Sequence, residues 1–298
     1  MSDFGKTSCA YVFQGAGVDV YKSTSFVLNK YKDIVGGNLD TAEKMTGLNF
    51  SKEKMHGDDL LYYYYTISCS LADIYDSRFG APKLLAGYSV GVFSALYYAK
   101  SISFEEGISL LMLLSKLLKP LRQESAAMAV IIGINENDFG NYSSFKTNTI
   151  DLINKNNDTS YVFSGESSGI SELISEAEIK GAYITKILPI NIPYHSRLTH
   201  GLRRQWEEIV NDYVFSPASL PIIDTHKQSI VCSAKDCRNL AINSFCHAFS
   251  WYGSLKIMAS LGITNLYECG PGLSLSKIGE FTDLGHTYVN IKSLKRSC

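Results

Sequence analysis

Gly87-Tyr88-Ser89-Val90-Gly91 is where the residue types and spacing of this chain most directly imply chemistry. A serine flanked two residues away by glycines on both sides is the pattern of a nucleophile elbow, in which a strand enters a sharp turn and a helix leaves it. Small residues let the backbone pass close on either side of a strained nucleophile. The helix N-terminus then presents unpaired N–H groups to a developing oxyanion. A serine hydroxyl is a poor nucleophile until a base takes its proton, so Ser89 needs a histidine. Of the six histidines, two suit the task. His195 lies in Ile192-Pro193-Tyr194-His195-Ser196, while His286 comes late in the chain after an acid such as Asp224. The second choice would reproduce the Ser…Asp…His order of α/β-hydrolases. Spacing alone leaves both open.

The flanking elements suit an elbow. Pro82-Lys83-Leu84-Leu85-Ala86 reads as a short buried strand, and Val92 to Ala99, free of glycine and proline, as a helix. Upstream, Ala10-Tyr11-Val12-Phe13 is expected to be a strand and Gln14-Gly15-Ala16-Gly17 a turn after it. Helices are expected from Asp58 to Tyr75, with the tyrosine run 62–65 used for packing, and from Phe104 to Lys119, stopped by Pro120.

From Ala127 the pattern changes. Strands are expected at 128–132, 149–153, 161–164 and 183–188, with a loop around Asn154, Asn156 and Asn157 and a helix over 169–180. With a weakly marked helix in the polar segment after 132, the order is ferredoxin-like. The expected fold is therefore α/β: an α/β-hydrolase-like large subdomain over 1–126 and 191–298, carrying a ferredoxin-like small subdomain over 127–190. Beyond it, a helix through Leu202, Trp206 and Ile209 is expected, with Arg203 and Arg204 on its outer side. A helix over 253–261 and a strand over 265–269 then lead through Gly270-Pro271-Gly272 into another helix.

Composition narrows the class. Hydrophobic residues make up 45% and charged residues 19% of the 298, which describes a globular chain and not a disordered one. A net charge of −1 lacks the basic excess of nucleic-acid binders. The seven cysteines are scattered without C-x-x-C spacing, so no metal site is expected, and free thiols in the cytoplasm are the simplest account. Residues 1–6 lack the basic and apolar regions of a signal peptide. The most apolar helix, 108–118, is too short for a bilayer, which takes about 20 residues, so no membrane contact is expected.

Four motifs occur together in one order: Phe13-Gln14-Gly15-Ala16-Gly17, Gly87-Tyr88-Ser89-Val90-Gly91, Pro193-Tyr194-His195-Ser196 and Tyr267-Glu268-Cys269-Gly270-Pro271-Gly272. From about Tyr11 to Lys277 the chain resembles the malonyl-CoA:acyl-carrier-protein transacylases and the acyltransferase domains of polyketide synthases. That resemblance implies Ser89 as nucleophile and His195 as base, a dyad without a carboxylate. It implies the backbone N–H groups of Ala16 and Val90 as oxyanion hole, and the backbone carbonyl of Ser250 as the group orienting the histidine. It implies no cofactor. The partners would be an acyl carrier protein and an acyl-CoA or acyl-phosphopantetheine thioester.

Departures from the family pattern bear on the substrate. Where the family has His before the serine and Glu after the second glycine, this chain has Tyr88 and Val92. Where malonyl-type members carry an arginine for the substrate carboxylate, an ungapped count from Ser89 reaches Leu114. Leucine would leave that carboxylate buried and unpaired, which is costly. Arg122, beyond Pro120, is a poor substitute. Tyr88, Tyr194, Asn156 and Leu114 are thus the expected selectivity residues, and the expected acyl group lacks a free carboxylate. Transfer to a carrier, editing hydrolysis of carrier-bound acyl groups, and a catalytically idle carrier-docking role all fit this resemblance.

Overall fold

The computed structural model describes residues 8–16, 20, 24–50, 55, 57–122, 125–146 and 148–296. Gly17 of the first motif and Cys298 fall outside them. The strands are β1 (Cys9–Phe13), β2 (Leu84–Gly87), β3 (Ala126–Ile132), β4 (Ile150–Asn157), β5 (Ser160–Glu166) and β6 (Ile184–Leu188), followed by β7 (Ile222–Asp224), β8 (Ser229–Val231), β9 (Phe249–Ser250), β10 (Asn265–Cys269) and β11 (Thr287–Val289).

The first sheet has the order β11-β10-β1-β2-β7-β8, parallel except for the last pair. Its central strands are buried on both faces, as parallel strands between helix layers must be. Alternate side chains serve two cores: Tyr11, Phe13 and Leu85 face one, and Ala10, Val12, Leu84 and Ala86 the other. The larger core takes the helix Asp59–Phe79, where Tyr63, Tyr64 and Tyr65 are buried, so the tyrosine run is packing. That helix continues past Tyr75 and stops at Gly80, whose φ of 83° ends it.

The second sheet has the order β6-β3-β5-β4-β9. The first four strands are antiparallel to their neighbours, while β9 runs parallel to β4. One face packs Ala127, Ala129, Ile131 and Phe163 against Ile170, Leu173 and Ala177 of the helix Ser167–Ile179. The other face carries Met128, Ile153 and Val162, with Leu188, Ile190 and Tyr194 packed beside them.

Three local expectations are corrected here. The asparagines at 154, 156 and 157 lie in β4 and not in a loop, and they are buried. Their amides are satisfied inside the protein: Asn154 donates to Asn156 Oδ1 (2.7 Å) and accepts from Trp251 N (3.0 Å). Two register shifts in the β4–β5 pair adapt the backbone to these contacts. The polar segment after β3 forms a 3-10 turn (Glu136–Asn141) and a four-residue helix (Ser143–Lys146) in place of one longer helix. Finally, β9 joins the second sheet although it lies well after residue 190, so the smaller sheet is completed by a strand from the larger part of the chain.

Candidate active site

The strand β2 ends at Gly87, and Ser89 stands in the turn before the helix Gly91–Tyr98. Its φ is 53°, a left-handed conformation that costs a non-glycine residue roughly 1–3 kcal/mol. Both glycines are there for space. A Cβ on Gly87 would stand 2.3 Å from Val92 N, and one on Gly91 2.5 Å from Phe13 O. The turn is fixed by Tyr88 N–H donating to Phe13 O (2.9 Å) and Val92 N–H to Ser89 O (3.1 Å).

His195 also has a left-handed backbone, with φ 62°. The segment 245–247 clamps it twice: His195 N–H donates to Phe245 O (2.7 Å), and its Nδ1 lies 2.9 Å from His247 O. Nε2 lies 2.7 Å from Ser89 Oγ. Because a carbonyl can only accept, Nδ1 carries the proton and Nε2 presents its lone pair to the serine hydroxyl. Burial pulls the pKa of His195 down to about 4, with charge repulsion from His247 and His226 in the same direction and the bond to His247 O opposing it.

The orienting carbonyl is a correction: it belongs to His247 and not to Ser250. The Ser250 carbonyl instead accepts from Gln228 Nε2 (3.0 Å) and Ser254 Oγ (3.0 Å), while its hydroxyl caps the helix Trp251–Ser260. It is committed to holding β9 and that helix. His286 is not the base, since its Nε2 meets Leu255 O (3.2 Å). Asp224 does not orient His195 either; its Oδ1 accepts from the N–H groups of His226 and Lys227 (3.0 and 2.9 Å).

Two clefts meet at Ser89 and His195. The smaller, about 330 Å³, has Asp224, His226, Asn243, Ser244 and His247 in its walls together with Val92, Leu240 and Phe249. The larger, about 550 Å³, is lined by Ala16, Leu61, Tyr88, Val90 and Tyr194, by aliphatic residues of the second sheet, and by Asn154 and Phe249. Among the described residues its lining holds no aspartate, glutamate, lysine or arginine.

The expected selectivity residues divide. Tyr88 and Tyr194 line the large cleft. Asn156 does not; it lies behind Tyr88, accepting from its hydroxyl (3.3 Å), while Asn154 reaches the cleft and donates to that same hydroxyl (2.8 Å). Leu114 is fully buried in the main core with Leu110, Leu111 and Leu118, and Leu61 stands in the cleft wall. The apolar stripe of the helix Phe104–Leu118 turns Leu114 inward. Arg122 lies in an adjoining outer cleft, ion-paired with Asp58.

Ala16 and Val90 flank the nucleophile in the cleft wall. The turn bearing Ala16 is held by a buried carboxylate that motif spacing did not single out. Glu268 accepts from Gln14 Nε2, from Ser276 Oγ, and from the N–H groups of Leu275 (2.8 Å) and Ser276 (3.0 Å). Gln14 Oε1 in turn accepts from Gly272 N–H (3.0 Å). The first and fourth motifs are thus one interlocked structure that braces the loop beside Ser89. Among the described residues no group of His, Cys, Asp and Glu could hold a metal, and no helix is long and apolar enough to cross a membrane.

No family model matches the chain. It is similar to the polyketide biosynthesis malonyl CoA-acyl carrier protein transacylase PksC of Bacillus subtilis, at 24% identity over 275 residues, 88% of this chain and 92% of the relative. The fold matches an acyl-carrier-protein S-malonyltransferase from Burkholderia pseudomallei with a TM-score of 0.87 at 19% identity, covering 98% of this chain and 99% of that one. It also matches the structure titled PlMCAT:AntF, a type II polyketide synthase acyl-carrier protein in complex with its malonyl-transacylase, with a TM-score of 0.86 at 21% identity and coverage of 98% and 99%. The chain therefore resembles malonyl-CoA:acyl-carrier-protein transacylases along almost its whole length, and its mixed α/β fold is theirs.

Proposed function

We propose that the protein is a serine acyltransferase of fatty-acid or polyketide synthesis, moving an acyl group between CoA and acyl-carrier-protein thioesters through an ester on Ser89. The observation that carries this reading is the 2.7 Å contact of Ser89 Oγ with a His195 whose other nitrogen is tied to a carbonyl. In the first half-reaction Ser89 Oγ bonds to the thioester carbonyl carbon and its proton passes to His195 Nε2. The carbon–sulfur bond then breaks, and the leaving thiolate takes that proton. A second pantetheine thiol gives its proton to His195 and attacks the ester carbonyl; the carbon–oxygen bond to Ser89 breaks, and His195 returns the proton to Ser89 Oγ. The N–H groups of Ala16 and Val90 are the oxyanion donors in this scheme, which their position beside Ser89 supports.

The donor in this proposal has no free carboxylate. The relatives are named for malonyl transfer, but the large cleft of this chain offers no arginine or lysine among its described lining residues. A carboxylate there would lose its hydration without a charge partner. The carrier partner follows from the complex named for the structural relative. The reading takes 1–126 and 191–298 as the α/β-hydrolase-like part and 127–190 as the ferredoxin-like insertion. It includes a cytoplasmic location, which suits six described cysteines that are all unpaired.

Hydrolysis is the second reading, favoured by the second cleft that reaches Ser89 and His195 and has Asp224, His226 and His247 among its lining residues. Water arriving there could take the acyl group in place of a thiol. Intact-mass tracking with acetyl, butyryl and malonyl thioesters, followed by unacylated carrier protein, separates the two. Movement of the mass from enzyme to carrier supports transfer; decay to free acid with the carrier unloaded supports hydrolysis. Complete inertness would overturn both.

A further inference from the structure

The large cleft is asymmetric. One wall carries Ser89, Val90 and Ala16, whereas the opposite wall takes one aliphatic side chain from each of four adjacent strands: Leu188 on β6, Met128 on β3, Val162 on β5 and Ile153 on β4. Leu188 stands directly opposite Met128 across the β3–β6 pair; Val162 lies two residues along β5 from Ser164, the partner of Met128, and is paired with Asn154, the neighbour of Ile153, so the row crosses the sheet diagonally. Ile190, just beyond β6, extends the row. With strands about 4.8 Å apart, this apolar track runs roughly 14 Å across the sheet. It begins beside the nucleophile and has the dimensions of an extended aliphatic chain.

Asn154 and Tyr88 in the same wall are already paired, whereas Ser164, opposite Met128 on the same face, keeps a buried hydroxyl without a partner among the described residues. Asn154 Nδ2 donates to Tyr88 OH (2.8 Å) and to Asn156 Oδ1 (2.7 Å), and Asn154 Oδ1 accepts from Trp251 N–H (3.0 Å). The Tyr88 ring is fixed edge-on against Phe249 and Trp251, with centroids at 5.0 and 5.5 Å. A carboxylate on the chain would find no cation among the described residues lining this cleft, and its lost hydration would go uncompensated. A plain hydrocarbon needs none.

We infer that the inner face of the second sheet is the acyl-chain site, and that the donor is the thioester of an uncarboxylated aliphatic acid longer than acetate. The inference rests on the acyl-Ser89 reading and names the substrate class of that site. Each methylene laid on the track leaves water for an apolar surface, which is worth about a fourfold gain in kcat/KM until the site is full.

The test is a single-turnover acylation series on the wild-type protein with acetyl-, butyryl-, hexanoyl- and malonyl-CoA. The expected result is a rise in kcat/KM of about fourfold per methylene from acetyl to hexanoyl, with malonyl poorest. Val162→Phe, which fills the track, is expected to lower the hexanoyl-to-acetyl ratio about tenfold. Far-UV circular dichroism and thermal melting check that the variant is folded. A flat or falling series, with acetyl still loading Ser89, overturns the acyl-chain site and leaves the uncarboxylated reading standing. Efficient loading by malonyl alone overturns that reading as well.

Discussion

In the first sheet the functional groups stand at the ends of parallel strands: Ala16 follows β1 and Ser89 follows β2, where a turn fixes the backbone. In the second sheet the cleft-lining side chains stand on a face, one per strand, with Ile153 at a register shift of the β4–β5 ladder and Leu188 at the end of β6. The first arrangement holds atoms in one geometry and tolerates little change. A sheet face, by contrast, offers a surface whose shape can be altered one residue at a time. In the proposed function the nucleophile belongs to the first region and the choice of acyl group to the second.

Removing the nucleophile should give the largest effect. Ser89→Ala is expected to abolish the acyl-enzyme and lower kcat/KM on the order of 10⁴- to 10⁶-fold, and His195→Ala on the order of 10²- to 10⁴-fold, read by single-turnover kinetics. A folded variant of Val162 or Met128 that lost as much would break the division between the sheets.

The next effect is set by pH. His195 has its pKa lowered to about 4 by burial, so it is neutral and able to accept a proton over a wider acid range than a solvated imidazole. The acid limb of the acylation rate is expected near pH 4, well below the ordinary histidine value of about 6.5. Stability follows the same linkage. The unfolded chain binds the proton first, so this contribution is whole above pH 6.5 and lost as pH falls through about 4. The loss reaches about 3 kcal/mol, measurable by denaturant unfolding across that window and absent in His195→Ala.

A third test concerns bracing rather than chemistry. Glu268→Leu leaves the N–H groups of Leu275 and Ser276 without their acceptor and frees Gln14, at an expected cost of about 2–3 kcal/mol in stability. Acylation should also slow, because Ala16 follows Gln14. A drop in melting temperature with an unchanged acylation rate would show that the loop does not depend on this brace. Smallest is Tyr88→Phe, which takes away the hydroxyl joining the elbow to Asn154 and Asn156, at about 1–2 kcal/mol. It should lower the melting temperature while leaving acylation by short acyl-CoAs within a few-fold.

What was legible in the sequence follows the same division. Ser89 and His195 sit in short motifs, but spacing alone left His195 and His286 both open as the base; the resemblance carried by the four motifs together implied the contact that the structure shows. The carbonyl holding His195 was not legible. Any residue supplies one, and three positions separate Ser250 from the His247 that does the work. Asn154 and Asn156 looked like a loop because their polarity is usually solvated; only the tertiary contacts with Tyr88 and Trp251 make them strand. Leu114 was found by counting along a helix, but the direction in which a helix turns its apolar stripe depends on its partners. The track of Met128, Ile153, Val162 and Leu188 left no local signal, since each residue looks like ordinary core and their alignment comes from strand pairing.

Acylation of Ser89 by an uncarboxylated donor is tested most directly by peptide-level mass mapping after brief exposure to an equimolar mixture of butyryl- and malonyl-CoA at neutral pH. The predicted result is a butyryl ester on the peptide carrying Ser89, absent from Ser89→Ala. A malonyl ester there, or butyryl attached only to another residue such as the exposed Cys232, would contradict it.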